Sequence, residues 1–407
     1  MKSRLLIVPA LVLLMIITVS LLAACSGSSS ESGGACALTD LPFPHPEPDY
    51  SAKLARDFSP FSAELEAYTP EQAAAREALV SGKTVLEMQS LMESGELTSA
   101  ELVVYYLERI QRYDVDKLNA VLELNPDALE IAQALDDERA AGNVRGDMHG
   151  IPVLLKDNIA AGDQMHTAAG AAAMLDWDPS RDAFLVSQLR EAGAVILGKA
   201  NLSEWANWMD ECMPNGFSTN GGQTRNPYGP FDTSGSSSGS AVSVAADLTT
   251  VSVGTETQGS IISPAGHNSV VALKPSKGLI STDYVIPHGQ NLLQASQDTA
   301  ITAAEFAQKG QENNGFARNR IDATLEAFDI DLVISDMSQL YAPAGYPALT
   351  VPAGYDENGR PQPVVFIGGF LSEPQLLAVG YAFEQQAQAW VAPDLEAAMA
   401  SIEALGE

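Results

Sequence analysis

The chain has 407 residues, of which 46% are hydrophobic, enough for one large domain or two ordinary ones with a full core. Its 52 acidic residues against 22 basic ones give a net charge of −30, which predicts a self-repelling surface and excludes nucleic acid as a partner. The five histidines lack metal-ligand spacing, so no metal and no organic cofactor is predicted.

The N-terminus has the pattern of an export signal. Lys2 and Arg4 precede an apolar run over residues 5–22, and small residues then precede Cys25. This pattern resembles a bacterial lipoprotein signal, which implies cleavage after residue 24, lipidation of Cys25 and attachment to a membrane of the bacterial cell envelope. The alternative is an uncleaved anchor, because a run of this length is just sufficient to span a bilayer.

The rest of the chain divides into a tether and one folded domain. Residues 25–59 are rich in Ser, Gly and Pro and are predicted to be a flexible, then extended segment, whereas residues 60–407 are predicted to fold as a single domain. Capping boxes at Thr84 and Thr98 and the pair Asn125-Pro126 predict helix starts. Two further helices are predicted, over about residues 182–191 and 373–388.

Short apolar runs alternate with these helices and predict strands, of which the first two are predicted to be buried. They cover residues 151–155, 194–197, 251–253, 270–273 and 331–334. The alternation predicts an α/β fold with a sheet that is covered by helices on both faces.

Lys156 directly follows the first of these strands. A lysine at a strand end is usually solvated, and that is one interpretation here. The functional alternative is a buried, neutral amine that acts as a base. Lowering a lysine pKa from about 10.4 to near 7 requires about 4 kcal/mol of differential burial and hydrogen bonding, which only a dry site can sustain.

Two glycine-serine segments flank an apolar run and supply hydroxyls with bare backbone N–H groups. The first, residues 234–240, would be a flexible linker in most proteins, but an apolar segment typical of a buried helix follows it. It does not end in Gly-Lys-Ser/Thr, so it is not a phosphate-binding loop. The second segment contains Ser260. Since no histidine is placed for a Ser-His-Asp triad, a nucleophilic Ser260 would need another base, and Lys156 is the candidate.

Five segments in order resemble the amidase signature family of serine hydrolases. They begin at Gly150, Gly198, Gly221, Ser234 and Gly254. The last two, Ser-Gly-Ser-Ser-Ser-Gly-Ser and Gly-Thr-Glu-Thr-Gln-Gly-Ser, are most similar to the peptide-amidase branch. The similarity extends over about residues 84–300 and 321–388. The resemblance implies the amidase-signature fold, a mixed, twisted β-sheet between layers of helices.

The resemblance also implies roles for individual residues. Ser260 would be the nucleophile that forms an acyl-enzyme, Ser236 the bridging serine after a cis peptide bond, and Lys156 the base. An oxyanion hole would be formed by the backbone N–H groups of Thr257, Gln258, Gly259 and Ser260. The implied function is an amidohydrolase that cleaves linear carboxamides, with peptide C-terminal amides as one candidate substrate.

The chain departs from the family pattern in two places. Glu256 and Ile262 stand where more common members carry an Asp–Arg ion pair. After Ala300 the chain continues with a segment that resembles a much later helix, so a stretch that helps to build the substrate pocket is missing. The alternatives are therefore a catalytically silent, surface-anchored binding protein that retains the fold, and a chain that does not fold stably. Ester hydrolysis and transamidation also stay open, because one acyl-enzyme serves all three reactions.

Overall fold

The computed structural model describes residues 53–208, 213–281, 301–335 and 340–404. The predicted export signal, the lipidation site at Cys25 and most of the predicted tether lie outside these residues, as does Ala300. None of the helices within the described ranges combines the length and the apolar composition that crossing a bilayer requires.

The first described residues already contact the folded body. The Leu54 amide donates a hydrogen bond to the Asn220 carbonyl at 2.8 Å. The Arg56 guanidinium lies 3.3 Å from the carboxylate of Asp114, and both side chains are almost completely buried. These contacts begin before residue 60, where the sequence predicts the folded domain to start.

The described residues form twelve α-helices. They are α1 Ser62–Ala67, α2 Pro70–Val80, α3 Val85–Ser94, α4 Ser99–Arg109, α5 Ala128–Ala140, α6 Phe184–Glu191, α7 Ser238–Ala245, α8 Ile262–His267, α9 Ala303–Phe328, α10 Tyr341–Ala344, α11 Glu373–Ala387 and α12 Leu395–Glu403. The predicted capping boxes are present at the N-termini of α3 and α4, where Thr84 and Thr98 each bond the backbone three residues on.

The same ranges contain ten β-strands. They are β1 Val121–Leu124, β2 Pro152–Lys156, β3 Val195–Ala200, β4 Phe217–Ser218, β5 Gly222–Gln223, β6 Val251–Val253, β7 Ala272–Lys274, β8 Leu332–Ser335, β9 Ala348–Tyr355 and β10 Pro361–Gly368. Each strand that the sequence predicts overlaps one of these, with ends that differ by a few residues.

The first sheet has the strand order β1-β3-β2-β6. β2 runs parallel to β3 and β6, whereas β1 is antiparallel to β3. Leu154 packs on one face with residues of α4 and α5, while Val153 and Leu155 pack on the other face with Val186 of α6. The predictions that β2 and β3 are buried and that helices cover both faces of the sheet are confirmed, whereas β6 is half-buried.

The second sheet has the order β7-β9-β10-β8, and all its pairs are antiparallel. Its centre is a hairpin of two eight-residue strands, β9 and β10, which the sequence analysis does not predict. Pro352, Pro361 and Pro363 lie in these strands, and proline is normally depleted from sheet interiors, so the strand pattern is concealed.

The turn between β6 and α8 connects the two sheets. β6 belongs to the first sheet, while Ile262 of α8 packs with Val365 and Ile367 of β10 in the second. Residues 254–261 therefore cross from one sheet to the other. Ser260 lies on this crossing.

Candidate active site

Three separate elements carry the residues that the sequence singles out. Lys156 is the last residue of β2, Ser236 lies two residues before α7, and Ser260 lies two residues before α8. The peptide bond between Gly235 and Ser236 is cis, as the family resemblance implies. Lys156 and Ser236 are fully buried and Ser260 is 8% exposed, so the interpretation of Lys156 as a solvated strand tip is wrong.

The amine of Lys156 lies within hydrogen-bond distance of three oxygens. Its Nζ is 2.6 Å from Ser236 Oγ, 3.0 Å from Ser237 Oγ and 3.3 Å from the carbonyl oxygen of Thr255. Burial lowers the pKa of Lys156 to about 7, although the nearby Glu256 carboxylate acts in the opposite direction. Neutral and charged forms therefore coexist near neutral pH, as a general base requires.

The two glycine-serine turns are held side by side through their backbones. The Ser237 amide donates to the carbonyl oxygen of Ser260 at 3.1 Å. Within the described ranges no hydrogen bond involves the Ser260 hydroxyl. The structure thus joins Lys156 directly to Ser236 and bonds Ser260 to Ser237, the residue after Ser236. Proton transfer from Ser260 to Ser236 stays a prediction.

The predicted oxyanion hole lies on the turn before α8. Among the described residues, no acceptor is bonded to the backbone amides of Thr257, Gln258, Gly259 and Ser260. The next two amides are occupied, because Glu256 Oε2 accepts from Ile261 at 2.8 Å and from Ile262 at 3.1 Å.

Glu256, at the start of the turn, therefore bonds the two amides at its end and leaves the N–H groups between them available for an anion. The Asp–Arg ion pair of other members is replaced here by a carboxylate that bonds two backbone amides.

Close packing fixes the turn that contains Ser236. A Cβ atom on Gly235 would lie 2.4 Å from Ser203 Oγ, and one on Gly239 would lie 2.4 Å from the carbonyl oxygen of Ala120. The Ser203 amide donates to the Ser236 carbonyl at 3.0 Å. Gly239 has no space for a side chain because backbone atoms surround it, whereas a side chain at Gly235 would require the Ser203 side chain to move.

Sequence reasoning assigns no role to Ser237, Thr255 or Ser203, although each contacts the site. All three lie inside the motifs that carry the resemblance. The motifs could have marked these residues, but only the folded chain shows which atoms they present to Lys156 and Ser236.

A second buried lysine lies on the neighbouring strand. Lys199 Nζ donates to the Ile159 carbonyl at 2.6 Å and to Thr167 Oγ1 at 2.7 Å. Burial lowers the pKa of Lys199, against the effect of the Asp157 carboxylate. Burial also raises the pKa of Asp157 to about 6, although Lys199 and the amides of Gly170 and Ala168 oppose it.

The fold agrees with that of known proteins. The family model named Amidase matches residues 101–307, which is half of the chain. A solved amidase family protein from Bacillus anthracis is 31% identical with a TM-score of 0.79, covering 83% of this chain and 97% of its own. The solved peptide amidase from Stenotrophomonas maltophilia is 30% identical with a TM-score of 0.73, covering 78% and 99%.

The architecture is thus the mixed α/β fold of amidase-signature proteins. The chain belongs to the amidase family. It is also 50% identical over 207 residues to a "probable amidase" of Arabidopsis thaliana, covering 50% of this chain and 40% of that one. The chain spans about half the length of the curated relatives it matches.

Proposed function

We propose that this protein is an amidohydrolase that cleaves linear carboxamides through an acyl-enzyme at Ser260. The observation that carries the proposal is the fully buried Lys156, whose amine lies 2.6 Å from Ser236 on the turn that is bonded to Ser260. Family membership supports the reaction class, since relatives with this fold are named amidases.

The first half of the reaction forms the acyl-enzyme. Neutral Lys156 accepts the proton of Ser236, which accepts the proton of Ser260 as the Ser260 oxygen attacks the carboxamide carbon. The negative charge that develops on the carbonyl oxygen is stabilised by the amides of residues 257–260. The C–N bond then breaks, and the proton returns through Ser236 to the leaving nitrogen.

The second half is hydrolysis of the ester. Water gives up a proton along the same path and attacks the acyl carbon, and Ser260 leaves with that proton. Products are a carboxylic acid and an amine or ammonia. Every proton that Lys156 takes up is returned within each half-reaction, so the chain ends in its starting state.

Within this reaction class we propose peptide C-terminal amides as substrates. Support comes from the similarity to peptide amidase, which has been solved with the competitive inhibitor chymostatin. A panel of peptide amides, the same peptides with free carboxylates, and short aliphatic amides tests this assignment. Ammonia release from the peptide amides alone is the expected result, and release from the aliphatic amides alone would contradict it.

The Ser260→Ala variant tests the reaction itself. We expect loss of amide hydrolysis and of labelling by a fluorophosphonate probe, because both require the Ser260 oxygen as nucleophile. The melting temperature should stay near that of the wild type. A wild-type protein that folds cooperatively but neither labels nor hydrolyses any amide would instead favour the catalytically silent binding protein.

We also propose that the protein is exported and anchored to a membrane of the bacterial cell envelope by a lipid on Cys25. The pattern of residues 1–25 supports this, with a charged start, an apolar run and small residues before the cysteine. Cells fed a labelled fatty acid should incorporate the label into the wild-type protein and not into Cys25→Ala. An unlabelled wild-type protein, or equal labelling of the two, would refute the lipid anchor.

A further inference from the structure

The three oxygens around the Lys156 amine are of two kinds. The carbonyl oxygen of Thr255 can only accept hydrogen bonds. The Ser237 hydroxyl donates its own proton to this carbonyl at 3.1 Å and accepts the Thr255 amide at 3.2 Å. It therefore presents a lone pair to Lys156, like the carbonyl. Ser236 Oγ differs, since among the described residues Lys156 is its hydrogen-bond partner and its proton can therefore point at the amine.

This arrangement determines where the lone pair of a neutral Lys156 points. A neutral amine has two N–H bonds and one lone pair. Ser237 Oγ and the Thr255 carbonyl take the two N–H bonds, so the lone pair faces Ser236 Oγ, the nearest of the three oxygens. Once Lys156 accepts a proton, its three N–H bonds have three acceptors. The same triangle thus accommodates both charge states.

A side-chain contact holds the Thr255 carbonyl in place. Strands β2 and β6 pair only through residues 153–155 and 251–253, so their backbone ladder ends before Lys156 and Thr255 are reached. Beyond that end, Asn158 Nδ2 lies 3.0 Å from Thr255 Oγ1. Asn158 is buried and lies two residues after Lys156, so the contact extends the pairing of the two strands.

We propose that Thr255 and Asn158 are positioning residues which, with Ser237, direct the lone pair of neutral Lys156 at Ser236. Thr255 acts through its backbone carbonyl, and its hydroxyl together with Asn158 fixes the orientation of that carbonyl. The proposal deepens the proposed function and rests on it. In the described part of the chain, Glu256 is the charged side chain that affects the pKa of Lys156. The substitutions used in the test below leave Glu256 in place.

A pair of substitutions at Thr255 separates positioning from folding. Thr255→Val removes the hydroxyl and keeps the branched shape, whereas Thr255→Ser keeps the hydroxyl. We expect kcat to fall about tenfold in Thr255→Val with little change in KM, the usual effect of losing one buried hydrogen bond. Thr255→Ser should stay within about twofold of the wild type. A melting curve for each variant reports folding separately.

The pH profile supplies a readout that a structural role would not move. Acceptors stabilise the charged amine, so a displaced Thr255 carbonyl should lower the pKa of Lys156 and shift the acid limb of kcat/KM to lower pH. An unmoved limb in Thr255→Val, or an equal loss in Thr255→Ser, would overturn the proposal. If Thr255→Val does not fold, Ser237→Ala removes one acceptor directly and should shift the limb in the same direction.

Failure of the proposed function remains distinguishable. In protein with carbon-13-labelled lysine, the ε-carbon signal of Lys156 can be titrated by NMR whether or not any substrate is turned over. Lys156→Met identifies the signal by its loss. If the wild-type protein is inactive but the pKa of Lys156 is lower in Thr255→Val than in the wild type, the amidase assignment is rejected and the positioning role is kept.

Discussion

Lys156 ends β2 and Lys199 is the last residue but one of the neighbouring parallel strand β3; both are fully buried, yet their surroundings differ. The Asp157 carboxylate acts to raise the pKa of Lys199, whose amine donates to the Ile159 carbonyl and to the Thr167 hydroxyl. Lys156 donates to the Thr255 carbonyl and to the hydroxyls of Ser236 and Ser237, on the turn that is bonded to Ser260. Burial lowers the pKa of both amines, so a low pKa does not by itself distinguish a base from a structural cation.

The difference lies in the position of the hydroxyls that the two amines contact. A hydroxyl can donate to a neutral amine and accept from a charged one, but the hydroxyls at Lys156 lie on the turn that is bonded to Ser260, whereas Thr167 lies on the loop that follows β2. Lys156 is therefore suited to transferring protons, and Lys199 to holding the loop around Asp157. Substitutions that remove each amine in turn test this division.

The largest effect on activity is expected from Lys156→Met. Methionine fills a similar volume without a basic nitrogen, so kcat on a peptide amide should fall by about 10²–10⁴, the usual contribution of a general base. In the wild type, kcat/KM should rise with pH through about 7, as Lys156 loses its proton. If Lys156→Met retains the wild-type kcat, Lys156 is not the base, and the proposed difference in role between Lys156 and Lys199 is wrong.

The same variant has a predicted signature in stability. The folded pKa of Lys156, about 7, lies below its unfolded value, so the unfolded chain binds more protons between these two values. The buried lysine thus weakens the fold most at and below about pH 7, and less as pH rises towards 10. Urea unfolding should show Lys156→Met at least as stable as the wild type, with the difference shrinking at high pH.

Lys199→Met should mainly affect stability. It removes the nearby positive charge that acts to lower the pKa of buried Asp157, and it leaves the Ile159 carbonyl and the Thr167 hydroxyl without the amine, which should lower the free energy of unfolding by about 1–3 kcal/mol for each lost hydrogen bond. Folded protein should keep kcat within a few-fold of the wild type, because Lys199 does not contact the serine turns. Urea unfolding and kcat, measured on the same sample, check both statements.

Adding Asp157→Asn provides the matched control. The asparagine oxygen can still accept from the Gly170 amide, which now bonds Asp157 at 2.8 Å, while no unpaired charge is left. The double variant should therefore recover part of the stability that Lys199→Met loses. Equal stability of the single and double variants would show that the pair does not act as a unit.

Much of the fold follows from local sequence patterns. The strands of the first sheet are short apolar runs, and capping boxes at Thr84 and Thr98 mark the starts of two helices. The hairpin of β9 and β10 is not predictable in this way, because its prolines conceal the pattern. Its pairing depends on contacts between segments, which no local pattern records.

The candidate site shows the same limit. Motifs name Lys156, Ser236 and Ser260, because residue type and spacing suffice to compare this chain with a family. They do not show that Glu256 bonds the amides of Ile261 and Ile262, since that depends on how a longer carboxylate side chain bends back over its own turn. The motifs also do not show which of the two buried lysines, Lys156 or Lys199, contacts the serine turns, because both follow apolar runs in the sequence.

The close packing at Gly235 and Gly239 has a practical consequence for engineering. A library that varies Gly239 should lose most of its folded members, because a methyl group there would overlap backbone atoms of Ala120 and Asn201, whereas Gly235 should be varied together with Ser203. Gln258 is exposed on the turn that is proposed to hold the oxyanion, and the proposed role uses its backbone N–H alone. A designer who wishes to alter substrate preference should begin at that side chain, where size and charge can be changed without rebuilding the scaffold.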